Sequence, residues 1–147
     1  MRLTLDAKIL VCANGRATGR ARKIFEILSS DSHHDLVLSR YILDEIARVL
    51  AYPRLQTLYR LTEEEIREYV REIEETCRLV QPVVTKPIVL TDPADDPVLY
   101  TALDGNAHVL CTLNRDFSDT SVLAVCARNG LQVMTDVDLL RVFRGQK

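Results

Sequence analysis

The chain has 147 residues, 47% of them hydrophobic and 27% charged, with a formal net charge of −2. This suits one soluble domain with a real core and excludes disordered or collagen-like chains. No apolar run is long enough to span a bilayer, so no membrane association is expected, and any nucleic-acid binding must come from a local patch of positive charge.

Residues 2–6 predict a strand at the start of "MRLTLDAKILVCAN", with Asp6 inside the apolar stretch. A buried carboxylate there needs a partner or a cation. An acid in this position argues against a leader peptide, and a cytoplasmic location is expected. Residues 18–30 predict a helix, with Ala21, Ile24, Phe25 and Leu28 at helical spacing. Within "RATGRARK", Arg16, Arg20, Arg22 and Lys23 form a short basic stretch that, taken alone, reads as a solvated helix start. "DSHHD" is a polar turn at the far edge, with His33 and His34 expected to be exposed. "LVLS" is a short buried strand, and "SRYILDEIARVLAY" is a helix with Ser39 as N-cap. Pro53 ends that helix, and a short helical piece follows.

"LTEEEIREYVREIEETCRLV" predicts the longest helix. Thr62 and Glu65 have capping-box spacing, and Ile66, Tyr69, Val70, Ile73, Cys77 and Val80 line one face. "QPVVTKPIVLTDPADD" is an extended connector. After it come a helix ("PVLYTALDG"), a strand ("HVLCT"), a loop ("LNRDFSDT"), a helix closed by Gly130, a strand ("LQVMT") and a last helix ("DVDLLRVFR"). Cys12, Cys77, Cys111 and Cys126 form no CxxC pair and are expected to be buried, reduced thiols.

Alternating short apolar strands and helices predict one α/β domain over residues 1–147, with a mainly parallel sheet covered by helices on both faces. Ligands of such sheets bind beyond the carboxyl ends of the strands. Asp6 ends the first strand. Glu45 falls at the margin of its helix's apolar arc, whereas Asp44 faces solvent. Asp92, Asp95 and Asp96 crowd before a helix. Asp96, next to Pro97, could be its N-cap, and Asp92 and Asp95 read as loop acids. Asn114 and Asp116 follow a later strand. Each acid alone has an ordinary explanation. Gathered at one edge, carboxylates repel unless something positive sits among them, and a hard divalent cation, Mg²⁺ or Mn²⁺, suits such oxygen ligands.

In order and spacing, "LDAKILVCA", "LVLSRYILDEIARVLAYPRL", "LTEEEI", "DPADDPVLYTAL", "HVLCTLNRDF" and "GLQVMTDVDLL" resemble PIN domains, most of all those of bacterial and archaeal toxin–antitoxin pairs. The resemblance implies a three-layer α/β/α sandwich and a Mg²⁺- or Mn²⁺-dependent endoribonuclease. Matched by position, the family's first three acids fall on Asp6, Glu45 and Asp96. Its fourth falls on Asn114, accompanied by Asp116. Arg16, Arg20, Arg22 and Lys23 would hold the RNA backbone. An antitoxin protein and a second copy of the chain are the expected partners, the latter also because Tyr59 and Tyr69 offer apolar surface. Where the family has a small hydroxyl residue and then Asn after the first Asp, this chain has Ala7 and Lys8. With Asn114 in place of an acid, the site is two charge units more positive than the family pattern, which weakens its attraction for a divalent cation. The rival expectation is a degenerate PIN domain that binds RNA or an antitoxin peptide without cutting. A phosphatase-like or receiver-like domain fits less well, because no Lys is well placed after a later strand.

Overall fold

In β1 (Arg2–Leu5), the consecutive residues Leu3, Thr4 and Leu5 are all fully buried, although neighbours along a strand face opposite sides. Both faces of the sheet are therefore covered. The computed structural model describes residues 1–145. Its sheet contains β1, β2 (Asp35–Leu38), β3 (Cys77–Leu79), β4 (Val109–Cys111) and β5 (Gln132–Met134), all parallel, in the order β3-β2-β1-β4-β5. Around it pack α1 (Ala7–Val11), α2 (Arg20–Ser30), α3 (Arg40–Leu50), α4 (Pro53–Tyr59), α5 (Glu63–Thr76), α6 (Asp96–Asp104), α7 (Thr120–Arg128) and α8 (Asp136–Gly145). This is the expected three-layer α/β/α sandwich.

From β1 the chain moves outward to β2 and β3, then returns through the connector to place β4 on the other side of β1. The two strand directions of travel part between β1 and β4, and a crevice opens at the carboxyl ends there.

Several local expectations change. The apolar period of α5 continues through Cys77 and Val80, but the helix stops at Thr76. Cys77 adopts an extended conformation, and Cys77–Leu79 pairs with Leu36–Leu38 instead, because the open edge of β2 offers backbone partners. The residues after Asp6 form the short helix α1. Ser39 occupies the N-cap position of α3 without a side-chain cap bond; its hydroxyl accepts one from Thr101 at 2.8 Å. The capping box of α5 has both of its bonds.

Tyr69 does not offer outer apolar surface. It is buried, its hydroxyl donates to the Leu10 carbonyl at 2.5 Å, and its ring meets Phe25 edge-on at 5.9 Å. Of the cysteines, Cys111 and Cys126 are buried, Cys77 is half-buried and Cys12 is exposed; none is paired. His33 is exposed, but the His34 side chain is tucked against Phe143 with ring centroids 4.9 Å apart.

At the end of α6, Gly105 lies directly on β2. A Cβ there would sit 2.3 Å from Val37 Cγ1 and 2.9 Å from the Thr101 carbonyl oxygen. Gly105→Ala is expected to cost about 1–3 kcal/mol through overpacking. Urea denaturation should show a lower midpoint at unchanged slope.

Candidate functional site

The chain enters the crevice at Asp6. The Asp6 backbone N–H continues the β1–β4 ladder by donating to the Cys111 carbonyl at 3.0 Å, and the Asp6 carbonyl accepts the N–H groups of Ile9 at 3.0 Å and Leu10 at 3.3 Å in α1. The side chain makes no cap bond to that helix and faces the crevice, buried, where its Oδ2 accepts the Thr112 hydroxyl at 2.7 Å. Thr112 is the first residue after β4, so one hydrogen bond ties the ends of the two central strands together.

Glu45 projects from α3, half-buried as its place on the helix predicts. Burial raises its carboxyl above the usual range and Asp6 raises it further, while Arg48 one turn along, at 3.8 Å, offsets part of this. Opposite stand Asp92, Asp95 and Asp116, with one carboxylate oxygen from each lying within 4.8 Å of the others. Asp92 caps the short 3-10 turn Pro93–Asp95, accepting the Ala94 N–H at 3.1 Å. Asp116 accepts the Thr91 hydroxyl at 3.1 Å. Burial, and after it Asp92, push the Asp95 carboxyl up to about 6, with Asp6 and Asp116 adding to the effect. The Tyr41 hydroxyl, which donates to the Ala94 carbonyl at 2.8 Å, is raised by burial and then by Glu45 and Asp95. Glu45 thus feels Asp6 and Asp92, and Asp95 feels Asp92, Asp6 and Asp116, so the five acids form one electrostatically linked group.

Asn114 is the neutral link in this set. Its Oδ1 accepts the Asp116 N–H at 3.0 Å, which turns its Nδ2 toward Asp95 Oδ2 at 2.9 Å. Its own backbone N–H donates to the Thr112 hydroxyl oxygen at 3.0 Å. Asp6, Thr112, Asn114 and Asp95 therefore form one hydrogen-bonded chain. An Asp at 114 could not donate to Asp95 and would add a sixth like charge.

Asp96, expected as the third acid, is not brought into this cluster. It is buried, and its Oδ1 accepts the backbone N–H groups of Ile88 at 3.1 Å and Val89 at 2.9 Å, anchoring the connector to α6. Asp95 takes its place at the pocket. Successive positions on a helical turn differ by about 100° in direction, so of two adjacent acids only one faces the crevice. Asp92 and Asp95, expected to be loop acids, are the residues the sequence reading missed. The signal available was the run of three acids around one short turn.

The basic stretch also divides. Arg16 binds Glu65 at 3.1 Å and the Tyr59 carbonyl at 3.2 Å. Arg22 donates to the Ala13 carbonyl at 3.0 Å and pairs with Glu26 at 3.3 Å. Lys23 lines a different hollow, with His33 and Phe143. Arg20 remains at the crevice, bound to Asp136 at 3.1 Å.

The sequence profile of the PIN domain family matches residues 2–116. A search of curated proteins finds no match. Among solved structures, VapBC2 from Rickettsia felis, bound to a DNA fragment from their promoter, is similar with a TM-score of 0.57 and 13% identity, over 92% of this chain and 98% of that one. FitAcB from Neisseria gonorrhoeae is similar with a TM-score of 0.52 and 13% identity, over 91% and 97%. At that identity these neighbours speak for the fold.

Because Asp95 titrates near 6 in the folded chain rather than at its ordinary 3.8, the folded state binds more protons than the unfolded one between those values. Its contribution therefore makes stability fall as pH rises through that window, leaving it destabilising at neutral pH. Asp95→Asn is expected to raise the unfolding temperature at pH 7 in EDTA and to change it little near pH 4. Thermal melts at the two pH values check this.

Proposed function

The chain belongs to the PIN domain family, and from that premise we propose that it is a metal-dependent ribonuclease whose Mg²⁺ or Mn²⁺ is held among Asp6, Glu45, Asp95, Asp92 and Asp116. The observation that carries this reading is the set of three carboxylate oxygens within 4.8 Å of one another, backed by Asp6 and Glu45. Among the described residues, no Lys or Arg forms an ion pair with Asp6, Asp92, Asp95 or Asp116. Four hard oxygen donors with no protein cation on them, and only Arg48 at 3.8 Å from Glu45, fit a hard divalent ion.

Held by these carboxylates, a divalent cation would supply Lewis acidity toward a water and toward the charge that builds on the phosphate oxygens. The chain's own residues supply the frame. Thr112 fixes one oxygen of Asp6, and Asn114 fixes one oxygen of Asp95. Glu45, its carboxyl raised by burial and by Asp6, would be the residue to take a proton from the attacking water. Thr91 holds Asp116 in line.

A toxin role, with an antitoxin protein as partner, follows from the family resemblance and is supported by the likeness to VapBC2 and FitAcB. Pairing of two copies follows from the resemblance; of the two tyrosines expected to offer apolar surface, Tyr69 is turned inward and Tyr59 is half-buried. The second reading, a PIN domain that binds without cutting, is favoured by Asn114 and by the exposed Lys8, whose charge reaches Glu45. Calorimetric titration separates the two: absence of Mn²⁺ binding at millimolar metal favours the binder.

For the nuclease, Asp6→Ala and Asp95→Asn are each expected to reduce Mn²⁺-dependent RNA cleavage by about 100-fold or more. Asp96→Ala should instead cost about 1–3 kcal/mol of stability, because two buried amides lose their acceptor, while Mn²⁺ binding remains. Cleavage that survives both pocket substitutions overturns the assignment. Asn114→Asp is expected to tighten Mn²⁺ binding about tenfold, read by the same titration.

A further inference from the structure

A groove lined by Lys8, Arg16, Arg20, Tyr59, Leu113 and Asp136 borders the acids through Lys8, which is near enough to Glu45 to act on its carboxyl. Its cations are not equivalent. Arg16 is occupied by Glu65 and the Tyr59 carbonyl. Lys8 is exposed and, among the described residues, has no ion pair or side-chain hydrogen bond. Among the described residues, Arg20 donates only its Nε, to Asp136 Oδ2 at 3.1 Å, which leaves its outer N–H groups uncommitted there. The Arg20 side chain is 59% exposed, whereas that of Asp136 is 10% exposed. The other Asp136 oxygen accepts the Val137 N–H at 2.8 Å, so this carboxylate is fixed at both ends where α8 leaves β5.

A guanidinium is flat and rigid, so fixing its Nε direction fixes the fork formed by the outer nitrogens, the geometry that grips a phosphate through paired hydrogen bonds. We propose that Lys8 and Arg20 form a phosphate subsite for the backbone of a single-stranded RNA lying in this groove, with Asp136 as the positioning residue that holds the Arg20 fork. The subsite rests on the reading of the adjoining pocket as a nuclease centre. It takes a phosphate of the same strand beside the one that is cut. Lys8, which departs from the family pattern, then contributes to substrate binding from the groove side of α1. Tyr59 and Leu113 give the wall apolar surface against which bases can pack.

The simpler alternative is that Arg20 is there only to neutralise a buried Asp136, and the two ideas predict opposite signs. Binding of a short labelled single-stranded RNA to the full chain is measured by anisotropy in EDTA at several salt concentrations. Lys8→Ala and Arg20→Ala should each weaken binding several-fold and each lower the steepness of the salt dependence by about 0.7. Asp136→Asn should also weaken binding at unchanged salt dependence, because the Arg20 charge remains while its aim is lost. If Asp136 merely cancels that charge, the same substitution tightens binding, and the positioning role is overturned. Arg20→Lys keeps a positive charge beside Asp136 without the fork and should also bind several-fold more weakly; wild-type affinity overturns the fork. Unchanged affinity in Lys8→Ala and Arg20→Ala overturns the subsite. The assay contains no divalent ion, so its outcome is independent of cleavage. Cleavage lost in the pocket variants together with RNA binding insensitive to Lys8 and Arg20 sinks the subsite alone. The reverse pattern sinks the nuclease reading alone.

Discussion

One hydroxyl group holds the pocket in register. Thr112 donates to Asp6 across the seam between β1 and β4, and its oxygen accepts the N–H of Asn114. The seam is where the sheet changes its direction of travel, so no covalent neighbour fixes these two strand ends relative to each other. The ladder bond from the Asp6 amide to Cys111 sets their spacing, and the Thr112 hydroxyl then aims the carboxylate. Because Thr112 is buried, this bond competes with little water, and its loss would leave a buried carboxylate oxygen without a donor. Everything on the β4 side, from Asn114 to Asp116, hangs from the same residue.

The pocket works against the stability of its own fold. Cys111, immediately beneath it, shows how far the field reaches: its thiol is pushed up to about 12, by burial first and then by Asp136 and Asp6. Five carboxylates in a partly desolvated crevice repel one another, and among the described residues Arg48, 3.8 Å from Glu45, is the one cation paired with any of them. The fold tolerates this through hydrogen bonds: Thr112 on Asp6, Asn114 on Asp95, Thr91 on Asp116 and the Ala94 amide on Asp92. These donors fix geometry while cancelling little charge, which preserves attraction for an external cation. Replacing an acid by Asn114 fits the same logic, since the amide adds a donor where another carboxylate would add repulsion.

The alternation of short apolar stretches with helices made the parallel sheet and its ligand-binding edge readable from the sequence, because a parallel strand buried on both faces must be apolar throughout. Glu45 could be told from Asp44 by helical geometry alone, and the two do differ in exposure as expected. Asp95 could not be told from Asp96. Which of them turns to the crevice depends on the path of residues 88 and 89, whose amides capture Asp96, and that path is a long-range fact. The same limit hid β3. Cys77 and Val80 continue the apolar period of α5, and only the vacant edge of β2 explains why the helix gives way there. The fate of Arg16 likewise depends on Glu65, nearly fifty positions away, and no local pattern carries it.

The near-neutral charge of the whole chain conceals two fields of opposite sign at one sheet edge. The acids collect where β1 meets β4, and the uncommitted cations collect where α1 and α2 border the same crevice. A polyanion approaching this edge is repelled by the first and drawn to the second. Without a divalent ion, a polyanion drawn to the groove is therefore held off the carboxylates and comes close to them only when that repulsion is cancelled. Asp136 engages the Nε of Arg20 at 3.1 Å, so that guanidinium is committed to a carboxylate outside the cluster of Asp92, Asp95 and Asp116. A charge count alone would treat the Arg20–Asp136 pair as zero. Its geometry makes it a fixed donor at the border of an acidic pocket, and the distinction between pocket and groove depends on that placement.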